Sequence, residues 1–576
     1  MNPDMKGNEL MNSNKLKIIA IPLLIIWLIV FFILTIIPAI VTFIVSFMRS
    51  TPQIGIPSSD FVGWDNYVWV FQLLRFPSLI TNSFILAVVP AIIAIIIAFP
   101  VAFIVGSMNA GRLRSVTIGL LLLPAFVPDP MLANLFFGML KQRVIVDDPL
   151  YSVMVIVISS ITPAAICAFV GACAAGLYRD RGKKVAFGAI SGVIVGIVVN
   201  LVRFLSNNME LIALLHRPRS ESVEAGFDDF MFHSLINIHH LSRGATVWGF
   251  RTILQFISAI VLCIIVFLFI RIRRNESITS NIADIDTSFA RAIFGFASAL
   301  LFLVLLILPF FLWRNPVRFI EVPLLPTFYY SPLLTVLLNA LIITIASGVV
   351  FIILFMMITT WCYAYFGKMA IALILILSTP ANNIIGDFIV YWNLGLTHSS
   401  LPIISSRWNL SLMNNYTPVI LSGILNLSFV LAVAYLAHLR RSQVNSFTEY
   451  IRTIGPYVMA FSGVFVANTW GSYYIHRIYR TPAHSPYIGM RNFWILNRGN
   501  IVLGYQEELG FTMLFILPVL IIGIVTVLSF TYIDSKAQEV MPDTLLRQEI
   551  NPAAVQGQPE QENLVTAAGA EEEEDA

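Results

Sequence analysis

Long runs of apolar residues with no charge inside them constrain this chain more than any motif does. A helix that crosses a bilayer needs about 20 mostly apolar residues, because its backbone polar groups have no water to bond. By that rule the sequence holds about twelve candidate spans: 17–47, 81–106, 116–140, 152–176, 185–205, 247–271, 289–312, 333–365, 369–389, 417–437, 456–474 and 512–533. The first is too long for a cleaved signal peptide, whose apolar region covers about 7–15 residues. Composition agrees: 58% of the 576 residues are hydrophobic and 12% are charged, for a net charge of +3. That excludes a soluble enzyme, a disordered regulator and a nucleic-acid binder. The expected fold class is all-α, a polytopic membrane protein. Cys167, Cys173, Cys263 and Cys362 all lie in apolar runs without a CxxC pair, which points to neither a disulfide framework nor a zinc site.

Orientation follows from Lys and Arg in short loops, which stay cytoplasmic. Lys15 and Lys17 precede the first span, and Arg112 and Arg114 follow the second. Arg179, Arg181, Lys183 and Lys184 follow the fourth, Arg271, Arg273 and Arg274 the sixth, and Arg440 and Arg441 the tenth. An inside N-terminus puts every cluster in the cytoplasm, with both termini there. The polar stretch from Asn275 to Asn281 divides six spans from six, so both halves enter the membrane in the same direction. Parallel repeats of this kind place a pathway between the halves near the midplane. The expected organisation is a cytoplasmic N-terminus (1–16), a first half (17–274), a cytoplasmic linker (275–288), a second half (289–535) and a disordered acidic cytoplasmic tail (536–576).

Several patches then resemble the permease subunits of binding-protein-dependent ABC carbohydrate importers. Phe61-Val62-Gly63-Trp64-Asp65-Asn66-Tyr67 is similar to the segment after the family's first span, and Asn82-Ser83 to the opening of its second. Arg112-Leu113-Arg114 through Leu123-Pro124 resembles the family's basic turn and following helix. Ser206-Asn207-Asn208-Met209-Glu210 and Leu214-Leu215-His216-Arg217-Pro218 resemble a block of the polysaccharide-type subunits. In the second half, Thr379-Pro380, Leu394-Gly395-Leu396, Trp470-Gly471-Ser472-Tyr473-Tyr474 and Met490-Arg491-Asn492 resemble the partner subunit. The patches run through 61–271 and 333–533. The resemblance implies two permease halves fused in one chain of the bacterial cytoplasmic (inner) membrane, working by alternating access. It also implies separate nucleotide-binding ATPase subunits in the cytoplasm, an extracytoplasmic solute-binding protein and a sugar substrate.

Family members dock their ATPase through a cytoplasmic EAA loop between the fourth and fifth spans of each half. Here that position holds Arg179, Asp180, Arg181 and Gly182 in the first half, and Arg440, Arg441, Ser442 and Gln443 in the second. The first copy lacks the leading acid, and the second lacks both acid and glycine. These loops are either coupling elements or topogenic charge that also contacts anionic lipid, each cation near the surface contributing about 1 kcal/mol. Gly176 to Lys184 is a near miss for a phosphate loop, with one residue too many and no Ser or Thr for magnesium. ATP hydrolysis is therefore expected on another subunit. This chain is expected to be neither an enzyme nor a cofactor binder.

Ionisable and amide residues within spans are costly and are the default pathway candidates. Arg203 and Glu210, seven residues apart, lie on one helix face as either a salt bridge or a site. Asp387 follows Asn382 and Asn383. With Asn200, Asn207, Asn208, Asn468, Trp470 and Tyr473 these make a sugar-facing set, in which amides and carboxylates meet hydroxyls and aromatic faces cover apolar sugar surface. His233, His239 and His240 lie near Asp228 and Asp229, at spacings that match no zinc signature. Arginines and aromatics alternate from Arg477 to Arg498, as an interfacial belt or as a contact for a binding protein. Three other readings stand beside the importer: a gradient-driven secondary transporter, a permease-derived scaffold, and a membrane sugar-processing enzyme, which paired carboxylates would mark.

Overall fold

The computed structural model describes residues 21–50, 58–73, 76–109, 111–128, 131, 132, 135, 149–179, 184–201, 226–236, 241–273, 288–313, 331–365, 383–393, 427–440, 447–471 and 505–539. Most of these residues are helical, and one small ribbon is the sheet among them. Its strands are β1 (Met48–Arg49) and β2 (Asp60–Phe61), antiparallel, with Met48 opposite Phe61 and Arg49 opposite Asp60. Among the described residues six helices are long and apolar enough to cross a membrane: Ile21–Ser46, Phe76–Gly106, Val153–Arg179, Leu241–Val261, Ala340–Met357 and Ile516–Lys536. Val185–Asn200 and Ala292–Leu308 are shorter apolar helices. Isoleucine, leucine, valine and phenylalanine side chains stand exposed along the outer faces of these helices, for example Ile29, Ile96, Phe296, Ile345 and Leu528. A surface that apolar has no place in water. The chain is an all-α, polytopic membrane protein.

The first helix, α1 (Ile21–Ser46), widens into a π-helical turn at Phe32–Ile36, where the Ile37 N–H bonds the Phe32 carbonyl. Pro38 follows directly. A proline ring clashes with the carbonyl four residues back, and the wider turn makes room for it. Next come α2 (Asp65–Gln72) and α3 (Phe76–Gly106). Then α4 (Arg112–Leu121) leads into a 3-10 helix, Leu123–Phe126. The helices that follow are α5 (Pro149–Arg179), α6 (Val185–Leu201), α7 (Phe227–Ile236) and α8 (Leu241–Arg273). After these come α9 (Ser288–Trp313), α10 (Ser331–Tyr365), α11 (Ile384–Asn393), α12 (Leu427–Arg440), α13 (Phe447–Gly471) and α14 (Tyr505–Glu539).

One expected span differs. The stretch 116–140 is not a continuous helix: α4 ends at Leu121, a 3-10 turn follows, and Val127 is extended. Pro124, Pro128 and Pro130 explain the break, since each removes a backbone donor and the residue before a proline is driven out of the helical region. Of the ninth expected span, 369–389, the part 369–382 lies outside the described residues, and helix resumes at Ile384.

Small residues set the closest packing. On α3, Ala94, Ala98, Ala102 and Gly106 repeat every fourth residue and are buried. They meet Gly171 and Ala175 on α5, which in turn meets Gly188, Gly192 and Gly196 on α6. A Cβ on Gly106 would lie 2.2 Å from the Ala175 Cβ, and one on Gly192 would lie 2.6 Å from the Gly171 Cα. In a bilayer, where apolar side chains gain nothing by leaving lipid, such backbone-to-backbone approach is what holds helices together.

A second buried cluster forms a cap at the end where α1 finishes and α3 begins. It joins Val45, Val70, Phe76, Phe227, Trp248 and Ile385, from α1, α2, α3, α7, α8 and α11. Polar bonds tie it. Asn66 Nδ2 donates to the Ser46 and Met48 carbonyls, both at 2.9 Å, which satisfies the end of α1. The Ser50 N–H donates to Ser242 Oγ at 2.8 Å, and that hydroxyl donates back to the Ser50 carbonyl at 3.1 Å.

Candidate functional site

Among the described residues, the helix that starts at Arg112 breaks inside the bundle. Pro124 cannot donate to the Leu120 carbonyl four residues earlier, so that carbonyl lacks its helical bond. Ser298 Oγ, from α9, donates to it at 2.8 Å. Beyond the break, the Ala125 carbonyl accepts from Asn468 Nδ2 of α13 at 3.4 Å, while the same amide group bonds the Val464 carbonyl at 3.0 Å. The 3-10 turn is buried, with Ala125 and Phe126 fully enclosed, and packs among α5, α9, α13 and α14. Irregular backbone at membrane depth survives only where protein or water answers its carbonyls. Here side chains far along the chain do so.

The sequence-derived candidates scatter around this feature. Asn468 serves the break, and Trp470, buried, lies two residues further along α13. Asn200 is half-buried and turns back on its own helix: its Nδ2 donates to the Gly196 carbonyl at 2.7 Å and faces Cys167 Sγ at 3.9 Å. Asp387 sits on a different wall, on α11, which packs against α1, α7 and α8. There Asn383 caps α11 by accepting the Gly386 N–H at 2.9 Å, and its Nδ2 donates to Thr42 Oγ1 of α1 at 2.8 Å. Arg203, Asn207, Asn208, Glu210 and Tyr473 lie outside the described residues.

Of the loop candidates, Arg179 ends α5 and donates to the Asn109 side-chain oxygen. Arg440 ends α12. Asp180, Arg181, Gly182, Arg441, Ser442 and Gln443 lie outside the described residues. Arg114, which the sequence offers as topogenic surface charge, is buried instead. Its guanidinium lies over Gly176, and Nη1 donates to the Met108 carbonyl at 3.4 Å. Beside it Ser115 Oγ donates to Asp534 Oδ2 of α14 at 2.7 Å.

Three features escaped sequence reading. Asp228, noted only for its histidine neighbours, forms a buried ion pair with Arg251 that joins α7 to α8. Its partner was hidden as one arginine at the start of an apolar run. Ser298 is a lone hydroxyl in an apolar helix, and nothing local marks it. The third is a repeat: Ala189-Ile190-Ser191-Gly192-Val193-Ile194-Val195-Gly196 on α6 matches Ala460-Phe461-Ser462-Gly463-Val464-Phe465-Val466-Ala467 on α13. In both copies the glycine is a close approach, since a Cβ on Gly463 would lie 2.2 Å from Thr526 Oγ1. Ser191 meets Tyr435 of α12 at 2.7 Å. A search for self-similarity would have found it.

Among the described residues no three His, Cys, Asp or Glu side chains come together. No family model matches the chain, and no curated protein or solved structure matches it. The molecule is a multi-pass membrane protein whose bundle, with its interrupted helix, is consistent with a transporter-like fold.

Proposed function

We propose that this chain is the transmembrane permease component of an ABC-type importer for a carbohydrate or oligosaccharide. It comprises about twelve spans in two parallel halves, with both termini cytoplasmic in the inner membrane. It works with separate ATPase and solute-binding subunits by alternating access.

The observation that carries the reading is the broken helix, whose freed carbonyls are answered from α9 and α13, in the other half of the chain. Discontinuous helices at a repeat interface are where transporters build substrate sites. Two further features support it. The matched segments on α6 and α13 are what duplicated halves predict. The packing is reciprocal as well: α9 lies against α4 and its 3-10 turn, while α1 lies against α11. Each half thus lends its first helix to the other. In this reading the halves rock about the break, and the loops after α5 and α12 receive the ATPase.

The test is affinity purification from the native host in mild detergent, with mass spectrometry of co-purifying chains. An ATPase with a phosphate loop at stoichiometric yield, together with a sugar-binding lipoprotein, is the expected result. A partner-free protein overturns it. One observation favours a second reading, a gradient-driven carrier: the half-buried Asp387 has no side-chain partner among the described residues. Intramembrane carboxylates of that kind carry coupling ions. Uptake into vesicles that collapses with a protonophore or sodium removal, and ignores ATP, would select it.

A further inference from the structure

Helix α2 and the strand before it carry an apolar stripe that stands exposed among the described residues. Phe61, Trp64, Val68 and Phe71 are 75%, 67%, 50% and 55% exposed; Phe61 ends β2, and the other three have the spacing of one helix face. The opposite face is anchored: Val70 is buried, and Tyr67 bonds Ser46 and packs against Phe47. Exposed Asp65 and Gln72 flank the stripe on one side. On that side Trp69 lies under the Arg243 guanidinium, 3.7 Å from its ring centroid.

The position of the stripe decides what covers it. Helix α2 links the end of α1 to the start of α3, two spans whose outward faces are apolar up to that end, with Phe43 and Ile44 on α1 and Phe84 and Ile85 on α3 exposed. The aromatic residues are continuous with those faces. Phe43 packs edge-on against Phe47, which packs against Phe61 and Trp64. Phe71 packs against Phe76 and Phe250. The stripe therefore prolongs the lipid-facing belt and then turns across it.

We propose that residues 60–72 form an interfacial lipid anchor. In this arrangement α2 lies flat on the leaflet at the α1/α3 end, with Phe61, Trp64, Val68 and Phe71 sunk into the headgroup–acyl boundary. An amphipathic helix settles about 5–10 Å into that zone, where Trp side chains are favoured. Asp60 and Asp65 offset Arg49 and Arg243, so the anchor reads apolar depth rather than lipid charge. The partner is phospholipid of either headgroup type. This inference needs only that the chain spans a membrane and is independent of the transport reading.

The test uses the full chain in vesicles of phosphatidylcholine and phosphatidylethanolamine. The photoreactive p-benzoylphenylalanine is placed singly at Phe61, Trp64, Val68, Phe71, Asp65 or Gln72, and adducts are identified by mass spectrometry. Exposed positions tolerate the added ring, and size-exclusion profiles check that each variant folds. Lipid adducts about fivefold more abundant at the four stripe positions than at Asp65 and Gln72, and unchanged in high salt or with anionic lipid added, are expected. Equal yields at all six positions, or adducts to protein rather than lipid, would overturn the proposal. The second outcome would assign the stripe to a protein partner or a second copy.

Discussion

The bundle of α3, α5 and α6 and the cap over α1, α2, α7 and α8 hold helices together by opposite means. In the bundle, glycine and alanine bring backbones together and few side-chain hydrogen bonds cross between helices. In the cap, larger aromatic side chains fill the core, and polar groups link one element to the next: Asn66 to the α1 terminus, Ser50 to Ser242, and Asp228 to Arg251. The difference follows from solvent. Deep in lipid, close backbone approach is the attraction that survives, because transfer out of hydrocarbon gains nothing. Near the interface water competes again, so burial of aromatic area and charge-assisted bonds both gain value.

The contrast makes graded demands. Replacing Arg251 with Ala should have the largest effect, about 3–5 kcal/mol, because the buried Asp228 carboxylate loses the cation that balances it. Replacing both with apolar residues (Arg251→Met with Asp228→Leu) should recover most of it, and thermal unfolding in detergent reads both. A failure of the double variant to recover would mean that the cap depends on the charges themselves. Gly192→Val should cost about 3 kcal/mol through backbone overlap with Gly171. Gly111→Val should cost less in packing, since no atom lies within 4 Å there, although its φ of +147° adds backbone strain.

Asn468→Leu and Ser298→Ala should each cost about 1–3 kcal/mol by removing a side-chain donor from a carbonyl at the break. Hydrogen exchange at residues 120–127 should rise in both variants and stay unchanged in the cap.

The smallest effect belongs to Tyr67. Burial raises its phenol above the ordinary value of 10.0, with the Ser46 bond opposing in part. The stability it lends is present below pH 10 and lost as pH rises toward the folded value, because the unfolded phenol ionises first. The cap should therefore loosen above pH 10 in the native protein. The alkaline loss should vanish in Tyr67→Phe, with the exchange of cap amides as the readout.

Much of this architecture is legible as apolar length. α1, α3, α5, α10 and α14 all fall where uninterrupted runs place them, because hydropathy senses the solvent around a helix. It does not sense backbone donors. Leu123, Ala125, Phe126 and Val127 read as membrane residues, and the prolines among them cost little on a hydropathy scale while breaking the helix. The site was half legible for the same reason. Asn468 stands out as an amide in a span, yet its acceptor at Ala125 depends on a break that composition conceals. Ser298 and the Asp228–Arg251 pair gain meaning only from partners that folding brings to them.

The break also sets a clock. Asn468 and Ala125 are 343 residues apart in the chain, and Ser298 and Leu120 are 178 apart. At about 5–20 residues per second, a ribosome that has just released Ala125 needs about 17–70 seconds to deliver the amide that satisfies it. Until then the break lacks the Asn468 side-chain donor that answers it in the folded protein. The order in which this membrane protein is built is thus written into which of its helices is broken.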